Sequence, residues 1–555
     1  MVKFKLFVIL VLISSFDLLS ETNRYMVFLT DKAQSSYSID NPSAFLSQRA
    51  IDRRTKSGVE ITVEDLPVNE SYIEEIRNLG CEVYFQSRWL NALVVQTDHT
   101  MIPSIEQLSF VDSVQYIAGG SRLSTTQVPI TIPGTFKTPG AIEGDTELQL
   151  SLIKADSMHK DGYRGEGMII AILDSGFPGI NEYKVFQHIF DEDRLLGYKD
   201  FVTNSGNPFM YTSTSGAHGS SVFSTIAMDY GEEVQGVAPG AHFVLCVTED
   251  VTSEYRIEEY NWILGAEYAD SIGADVINAS VGYSFGFSNS SMNYTVDDLD
   301  GETAIVSIGA GIAASKGMVV VVSAGNEGNN QWKYVTPPGD AEGVVVVGSV
   351  NMLSEKSSFS SVGPTVDGRL KPDVMALGSL TTIFDVNGNP GQPSNVKIGM
   401  GSGTSYAAPQ IAGLAAAVWQ ANPEWTSHEV IEAIKYSANN SLNPDTALGF
   451  GIPNYQLAVT SSTLSILDVV EDRVHVYPNP FKEGIININI EGLKKEPFLD
   501  LRITDLKGAM FFNQRIYPNE QENVLTIEFP KAESGIYLLS VVSRRYNKSV
   551  KLIKF

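Results

Sequence analysis

Five short stretches of this chain are apolar almost without interruption: Met168 to Leu173, His242 to Val247, Val276 to Ala279, Met318 to Ser323 and Val344 to Val350. Each has the length of a β-strand and is too short to span a bilayer. A strand with no polar alternation must be covered on both faces, and that is the mark of a parallel sheet between helices. Helical stretches separate the five, so the spacing predicts an α/β, doubly wound parallel sheet. With 43% hydrophobic residues in 555, the chain can bury such a core and further domains besides. In these sheets function gathers outside the carboxyl ends of the strands.

The residues at those ends form a pattern. Asp174-Ser175-Gly176 follows the Met168 strand, and Ser323-Ala324-Gly325-Asn326-Glu327-Gly328 closes the Met318 strand in a tight turn. His218, alone among the seven histidines, is bracketed by small residues (Gly216-Ala217-His218-Gly219-Ser220-Ser221) and opens a helical stretch, Val222 to Met228. Gly401-Ser402-Gly403-Thr404-Ser405-Tyr406-Ala407-Ala408-Pro409 runs into an apolar helix, Gln410 to Trp419. Taken singly, Asp174 reads as an Asx turn or helix cap and Ser405 as a helix N-cap. Taken together they are what nucleophilic catalysis requires. Serine attacks only when a base removes its proton, and imidazole titrates near neutrality. A carboxylate fixes the imidazole tautomer, and N–H donors must meet the developing oxyanion.

In the order Asp, His, Asn, Ser, the motifs Ile172-Leu173-Asp174-Ser175-Gly176, His218-Gly219-Ser220-Ser221-Val222, Ser323-Ala324-Gly325-Asn326 and Gly403-Thr404-Ser405-Tyr406-Ala407-Ala408-Pro409 resemble those of subtilisin-like serine peptidases. The resemblance covers roughly Leu148 to Leu457. It implies an endopeptidase that works through an acyl-enzyme. Asp174 would orient the base, His218 would act as base and acid, Ser405 would attack, and Asn326 would line the oxyanion hole. It also implies that Ser280-Val281-Gly282 binds substrate backbone and forms the specificity pocket with Ser323-Ala324-Gly325. Tyr283, Phe285 and Phe287 follow closely and are expected to cover that pocket in part. One motif departs: the family usually reads His-Gly-Thr-His-Val, and here Ser220 and Ser221 replace the Thr-His pair. No cofactor is implied for the chemistry. Structural calcium is common in the family, and Asp191-Glu192-Asp193 and Asp297-Asp298-Leu299-Asp300 are oxygen-rich, but neither has a ligand spacing that defines a site. The rival reading is a catalytically inactive surface binding or adhesion protein on the same scaffold. A lipase or esterase fits less well, because the serine does not sit in Gly-x-Ser-x-Gly.

The flanks divide the chain further. Residues 1–20 read as a secretory signal peptide, with Lys3 and Lys5 before the apolar run Leu6 to Phe16. Residues 21–120 read as a β-α-β-β-α-β ferredoxin-like domain, with an extra helix opening at Asn41-Pro42-Ser43. Residues 121–147 and 460–475 read as linkers around a catalytic domain at 148–459, and residues 476–555 as a small β-sandwich. The first flank is similar to the family's propeptide, an inhibitor and folding aid. The last resembles the sorting domain of type IX secretion cargo in the Bacteroidetes, through Tyr477-Pro478-Asn479-Pro480, Ser534-Gly535-Ile536-Tyr537 and the basic end Lys551-Leu552-Ile553-Lys554-Phe555. The expected partners are therefore protein or peptide substrates, the chain's own propeptide and the type IX machinery. The expected location is extracellular or on the outer-membrane surface, with no transmembrane span in the mature form. A net charge of -26 argues against nucleic acid. The two cysteines, Cys81 and Cys246, are too few for a disulfide framework and fall on opposite sides of the expected cleavage.

Overall fold

The computed structural model describes residues 22–120, 146–204, 206–209, 216–231, 234–386, 398–460, 475–482, 485–490, 493, 498–505, 509–518, 524–529, 532–543 and 547–555. The expected signal peptide and most of both expected linkers lie outside these residues.

The N-terminal unit runs β1 (Thr22–Leu29), α1 (Gln48–Lys56), α2 (Glu70–Asn78), β2 (Glu82–Ser87), β3 (Ala92–Asp98), α3 (Ile102–Glu106), β4 (Val111–Ala118). Its sheet is antiparallel in the order β2-β3-β1-β4, the ferredoxin-like arrangement expected. The helix predicted to open at Asn41 is only a 3-10 turn, Pro42–Ala44. The α-helix starts later because Ser47 supplies the cap, its hydroxyl accepting from Ala50 N at 3.2 Å. Alternation along the strands gives this sheet two apolar faces. Val27, Leu29, Leu93 and Val95 pack with Ile73, Ile76 and Ile105 of the unit's own helices. Met26, Val94 and Ile117 face the other way and join the core of the next domain.

That domain contains β5 (Ile169–Asp174), β6 (Leu195–Asp200), α4 (His218–Ala227), β7 (His242–Val247), α5 (Ile257–Ile272), β8 (Val276–Ala279), α6 (Ile305–Ser315), β9 (Val319–Ser323), β10 (Val345–Val350), β11 (Val374–Leu377) and α7 (Thr404–Ala421). The seven strands form one sheet in the order β11-β10-β9-β8-β5-β7-β6, parallel in every pairing. Ile170 and Ile172 pack toward Phe223 of α4 and Ile411 of α7, whereas Ala171 and Leu173 pack toward Ile263 of α5 and Val306 of α6. Helices thus cover both faces, as the unbroken apolar strands require. The two edge strands are not among the five apolar stretches of the sequence. Strand β6 mixes buried and exposed positions, so it lacks the continuous apolar signature.

The described residues of the C-terminal unit form seven strands: β12 (His475–Tyr477), β13 (Ile485–Asn489), β14 (Leu499–Asp505), β15 (Met510–Ile516), β16 (Val524–Glu528), β17 (Gly535–Val542) and β18 (Asn547–Lys554). They form two antiparallel sheets, β12-β13-β16 and β15-β14-β17-β18. Ile486 and Ile488 of one sheet meet Leu501, Ile503 and Leu539 of the other in a single core, so the unit is a β-sandwich. Among the described residues no helix is long and apolar enough to cross a membrane.

Candidate active site

Asp174 is the last residue of β5 and is fully buried, while His218 is the first residue of α4. Asp174 Oδ1 lies 2.8 Å from His218 Nδ1 and also accepts from Ser175 N at 2.7 Å. Its other oxygen is buried without a hydrogen-bond partner among the described residues. Gly219 permits this approach: a Cβ there would lie 3.0 Å from the Asp174 Cβ and overlap the Gly176 carbonyl. Burial by itself would push the His218 pKa down. The charge and hydrogen bond of Asp174 outweigh burial and hold it above the ordinary histidine value. The two serines that depart from the family pattern lock the helix to its surroundings. Ser220 Oγ donates to Pro178 O at 2.8 Å and Ser221 Oγ to Phe384 O at 2.7 Å.

Ser405 lies in the first turn of α7, where a helix supplies no acceptor for its own N–H groups. Pro409, inside the helix, has no N–H to give the Ser405 carbonyl four residues back. Ser280, just past β8, takes that place, its hydroxyl donating to Ser405 O at 2.9 Å. In return the Ser405 hydroxyl donates to Ser280 O at 3.2 Å, so the Ser405 side chain is turned toward the Ser280 segment and not bonded to His218. Asn326 follows β9. Its Oδ1 accepts from Thr404 N at 2.9 Å and from Thr404 Oγ1 at 3.2 Å. The residue is exposed, and its Nδ2 is left free to donate beside Gly403.

Strands β8 and β9 are parallel neighbours, with Ala279 opposite Val322. Ser280-Val281-Gly282 and Ser323-Ala324-Gly325 therefore leave the sheet side by side. Gly325 adopts φ +96, a conformation that favours glycine, and donates its N–H to Thr404 Oγ1 at 3.2 Å. Of the three aromatic residues expected to cover this pair of segments, two turn away. Tyr283 and Phe287 are buried in the body of the domain, and Phe285 alone is exposed, with its ring 6.0 Å from that of Trp332. The sequence-predicted residues thus assemble at one end of one sheet. Two further neighbours escape the motif reading. The Tyr406 ring lies 5.9 Å from that of His218, and Glu249, two residues past β7, accepts from Tyr283 OH at 2.7 Å. The only signal either carries is position: one adjoins Ser405 and the other sits at a strand end.

In the second acidic stretch, Asp298 and Asp300 are engaged by neighbouring backbone and threonine hydroxyls. Asp298 Oδ2 accepts from Thr295 N and Oγ1, and Asp300 Oδ1 from the backbone of Glu302 and Thr303. Both serve as turn caps. Among the described residues no group of three or more His, Cys, Asp or Glu could hold a metal ion. Cys81 and Cys246 are free and buried.

The Subtilase family profile matches residues 165–451, which span the sheet and all four strand-end motifs. The chain belongs to the subtilase family. It is 32% identical to subtilisin NAT of Bacillus subtilis subsp. natto over 316 residues, covering 56% of this chain and 70% of that protein. It is 31% identical to a subtilisin of Bacillus pumilus over 316 residues, 56% of this chain and 97% of that protein. The serine protease AprX of Bacillus subtilis (strain 168) is 28% identical over 335 residues, 57% of this chain and 71% of that protein. This subtilase is accordingly a subtilisin-like serine endopeptidase. Residues 24–129 match the peptidase S8 propeptide domain of Bacteroidota, and residues 475–554 match a secretion system C-terminal sorting domain. The sorting domain is of the type IX class and marks the subtilase for secretion, to the cell surface or the extracellular space.

Proposed function

We propose that this subtilase is made as a zymogen and cleaves peptide bonds through an acyl-enzyme on Ser405. The observation that carries this reading is the 2.8 Å contact of His218 with buried Asp174, with the ring of Tyr406, the neighbour of Ser405, 5.9 Å from that of His218 and Asn326 bonded to Thr404 on the other side of Ser405. Substrate backbone would lie along Ser280-Val281-Gly282, and the Ser405 hydroxyl would turn from the Ser280 carbonyl to His218. His218 takes the Ser405 proton as Oγ bonds to the substrate carbonyl carbon. The oxyanion accepts from Asn326 Nδ2 and from the Ser405 N–H. His218 then passes its proton to the amine as the C–N bond breaks, and water repeats the sequence to release the acid. Asp174 holds the Nδ1–H tautomer throughout.

The propeptide unit would act as inhibitor by staying on the catalytic domain. Glu267 of α5 accepts from Ser87 Oγ at the end of β2 and from Arg88 N and Trp89 N of the turn that follows. Asp270 of α5 receives Arg53, Arg54 and Arg88.

The test is to treat the purified secreted protein with a fluorophosphonate and map the label by mass spectrometry. Label on Ser405, in a chain that has lost residues 24–120, is expected. It should vanish in Ser405→Ala, which should also retain the propeptide. A processed chain that takes no label would make this protein a binding scaffold.

A further inference from the structure

We infer that Thr336 fills the pocket for the substrate side chain just before the scissile bond, so that this subtilase cleaves after alanine, serine or glycine. The inference rests on the catalytic reading above and deepens it by naming the substrate class.

The residue whose carbonyl Ser405 attacks must place its side chain beside Ser405. The two parallel segments that leave β8 and β9 flank that space, one bonded to Ser405 through Ser280 and the other to Thr404 through Gly325. Glycine at 282 and at 325 ought to leave a deep slot between them. Thr336 closes it. Its N–H donates to Ala324 O at 3.2 Å, and the next carbonyl, of Pro337, accepts from Tyr283 N at 2.9 Å. The segment is thus tied across both walls. A Cβ on Gly282 would overlap Thr336 Oγ1. A Cβ on Gly325 would lie 2.9 Å from Thr336 Oγ1 and 3.1 Å from its Cγ2. The space opened by the two glycines is therefore occupied by the threonine hydroxyl and methyl. A β-branched side chain on tethered backbone is stiff at χ1 and does not swing aside.

The hydroxyl is the second observation. Thr336 is only 3% exposed, and its Oγ1 has no hydrogen-bond partner among the described residues. Native structures seldom leave such a group unsatisfied, and packing alone would be served as well by valine. A buried hydroxyl without a partner, set against Gly282 and Gly325 at the closed end of that space, is suited to a short substrate side chain. Serine can complete it directly, and alanine or glycine leaves room for a water. Leucine or phenylalanine needs the depth that Thr336 holds and offers it no polar atom.

The processed enzyme should be assayed on peptide p-nitroanilides that differ only in the residue before the cleaved bond: Ala, Ser, Leu or Phe. Alanine and serine should exceed leucine and phenylalanine in kcat/KM by at least about 10-fold, within the range of about 10- to 200-fold that one misfitted methylene gives in such pockets. Thr336→Gly should raise the Phe-to-Ala ratio by at least about 10-fold. Thr336→Val keeps the volume, so it should keep the small-residue preference while lowering the Ser-to-Ala ratio. A wild-type preference for leucine or phenylalanine overturns the inference, as does a Thr336→Gly ratio equal to wild type. If Thr336→Gly does not fold, the wild-type profile and Thr336→Val decide. Absence of hydrolysis of all four, with Ser405 unlabelled by the fluorophosphonate, overturns the catalytic reading instead.

Discussion

The catalytic domain carries two clusters of polar side chains that differ in how their buried carboxylates are engaged. On the outer end of α5, Asp270 is fully buried and both its oxygens are engaged by Arg53, Arg54 and Arg88 of the N-terminal unit. Asp65 extends the cluster by pairing with Arg54 and Lys316. Over the strand ends, by contrast, Asp174 Oδ2 and Thr336 Oγ1 have no partner among the described residues, and Asn326 is exposed. Arg54 Nε and Arg88 Nε are also buried without a partner among the described residues, so the contrast lies in the carboxylates: both Asp270 oxygens are engaged, and one Asp174 oxygen is not. The closed cluster fits a partner delivered once, in the same chain. The open one fits substrates that come and go.

The largest test of this contrast is to break the closed cluster. Asp270→Ala leaves three buried guanidinium groups facing one another. Loss of one member of a buried charge pair costs about 3–5 kcal/mol. The propeptide unit, added in trans to the processed enzyme, should inhibit the variant at least about 100-fold more weakly. The processed variant's own kcat on peptides should stay at wild type, because Asp270 lies on α5 and not at the strand ends. Unchanged inhibition would mean that this cluster does not hold the propeptide.

The two regions also differ in how far the sequence discloses them. The strand-end residues are legible because each is fixed by local rules. Continuous apolar strands imply a parallel sheet, functional residues gather at its carboxyl ends, and Gly-Thr-Ser ahead of an apolar run marks a helix start. The Asp270 cluster is not legible. Its partners Arg53 and Arg54 lie more than two hundred residues away in the chain, and nothing in α1 distinguishes a buried arginine from a solvated one. Thr336 is hidden for the same reason: its intrusion depends on where a turn after β9 crosses two glycines. Tyr283 and Phe287 are expected near the substrate and instead pack inward. They do follow the substrate-binding segment in the chain, but the direction of a side chain in an irregular segment is set by tertiary contacts.

A smaller effect probes the open cluster. Asn326→Ala removes the free Nδ2 donor, and kcat should fall about 100- to 1000-fold with KM little changed, a magnitude carried over from subtilisin, where loss of one oxyanion donor has that effect. Asn326→Asp keeps the Oδ1 acceptor for Thr404 and should fare no better, since an anion there opposes the oxyanion. Activity of Asn326→Asp near wild type would show that the Thr404 contact, and not donation, is what the position provides.

The finest distinction is in pH. In the proposed mechanism His218 must be neutral to take the Ser405 proton, and its pKa is held above 6.5 mainly by Asp174 against the opposing effect of burial. Activity is therefore present above that pKa and lost as pH falls through it, about 10-fold per unit once well below. Asp270 runs the other way. Burial would raise its pKa, but Arg88, Arg53 and Arg54 outweigh burial and hold it below 3.8. A carboxylate with a lowered pKa keeps its contribution above the ordinary value and loses it only in stronger acid. Glu267, raised mainly by burial, is tolerated protonated in the bound state and so does not favour release on acidification. Lys32, lowered by burial to about 8, titrates above this range. Between about pH 6.5 and 4.5 the open cluster should lose activity by at least about 10-fold while propeptide affinity changes by less than about threefold. Following kcat/KM and propeptide inhibition across the same buffers checks this. Affinity that falls in step with activity would place a titrating group in the interface and remove the contrast between the two clusters.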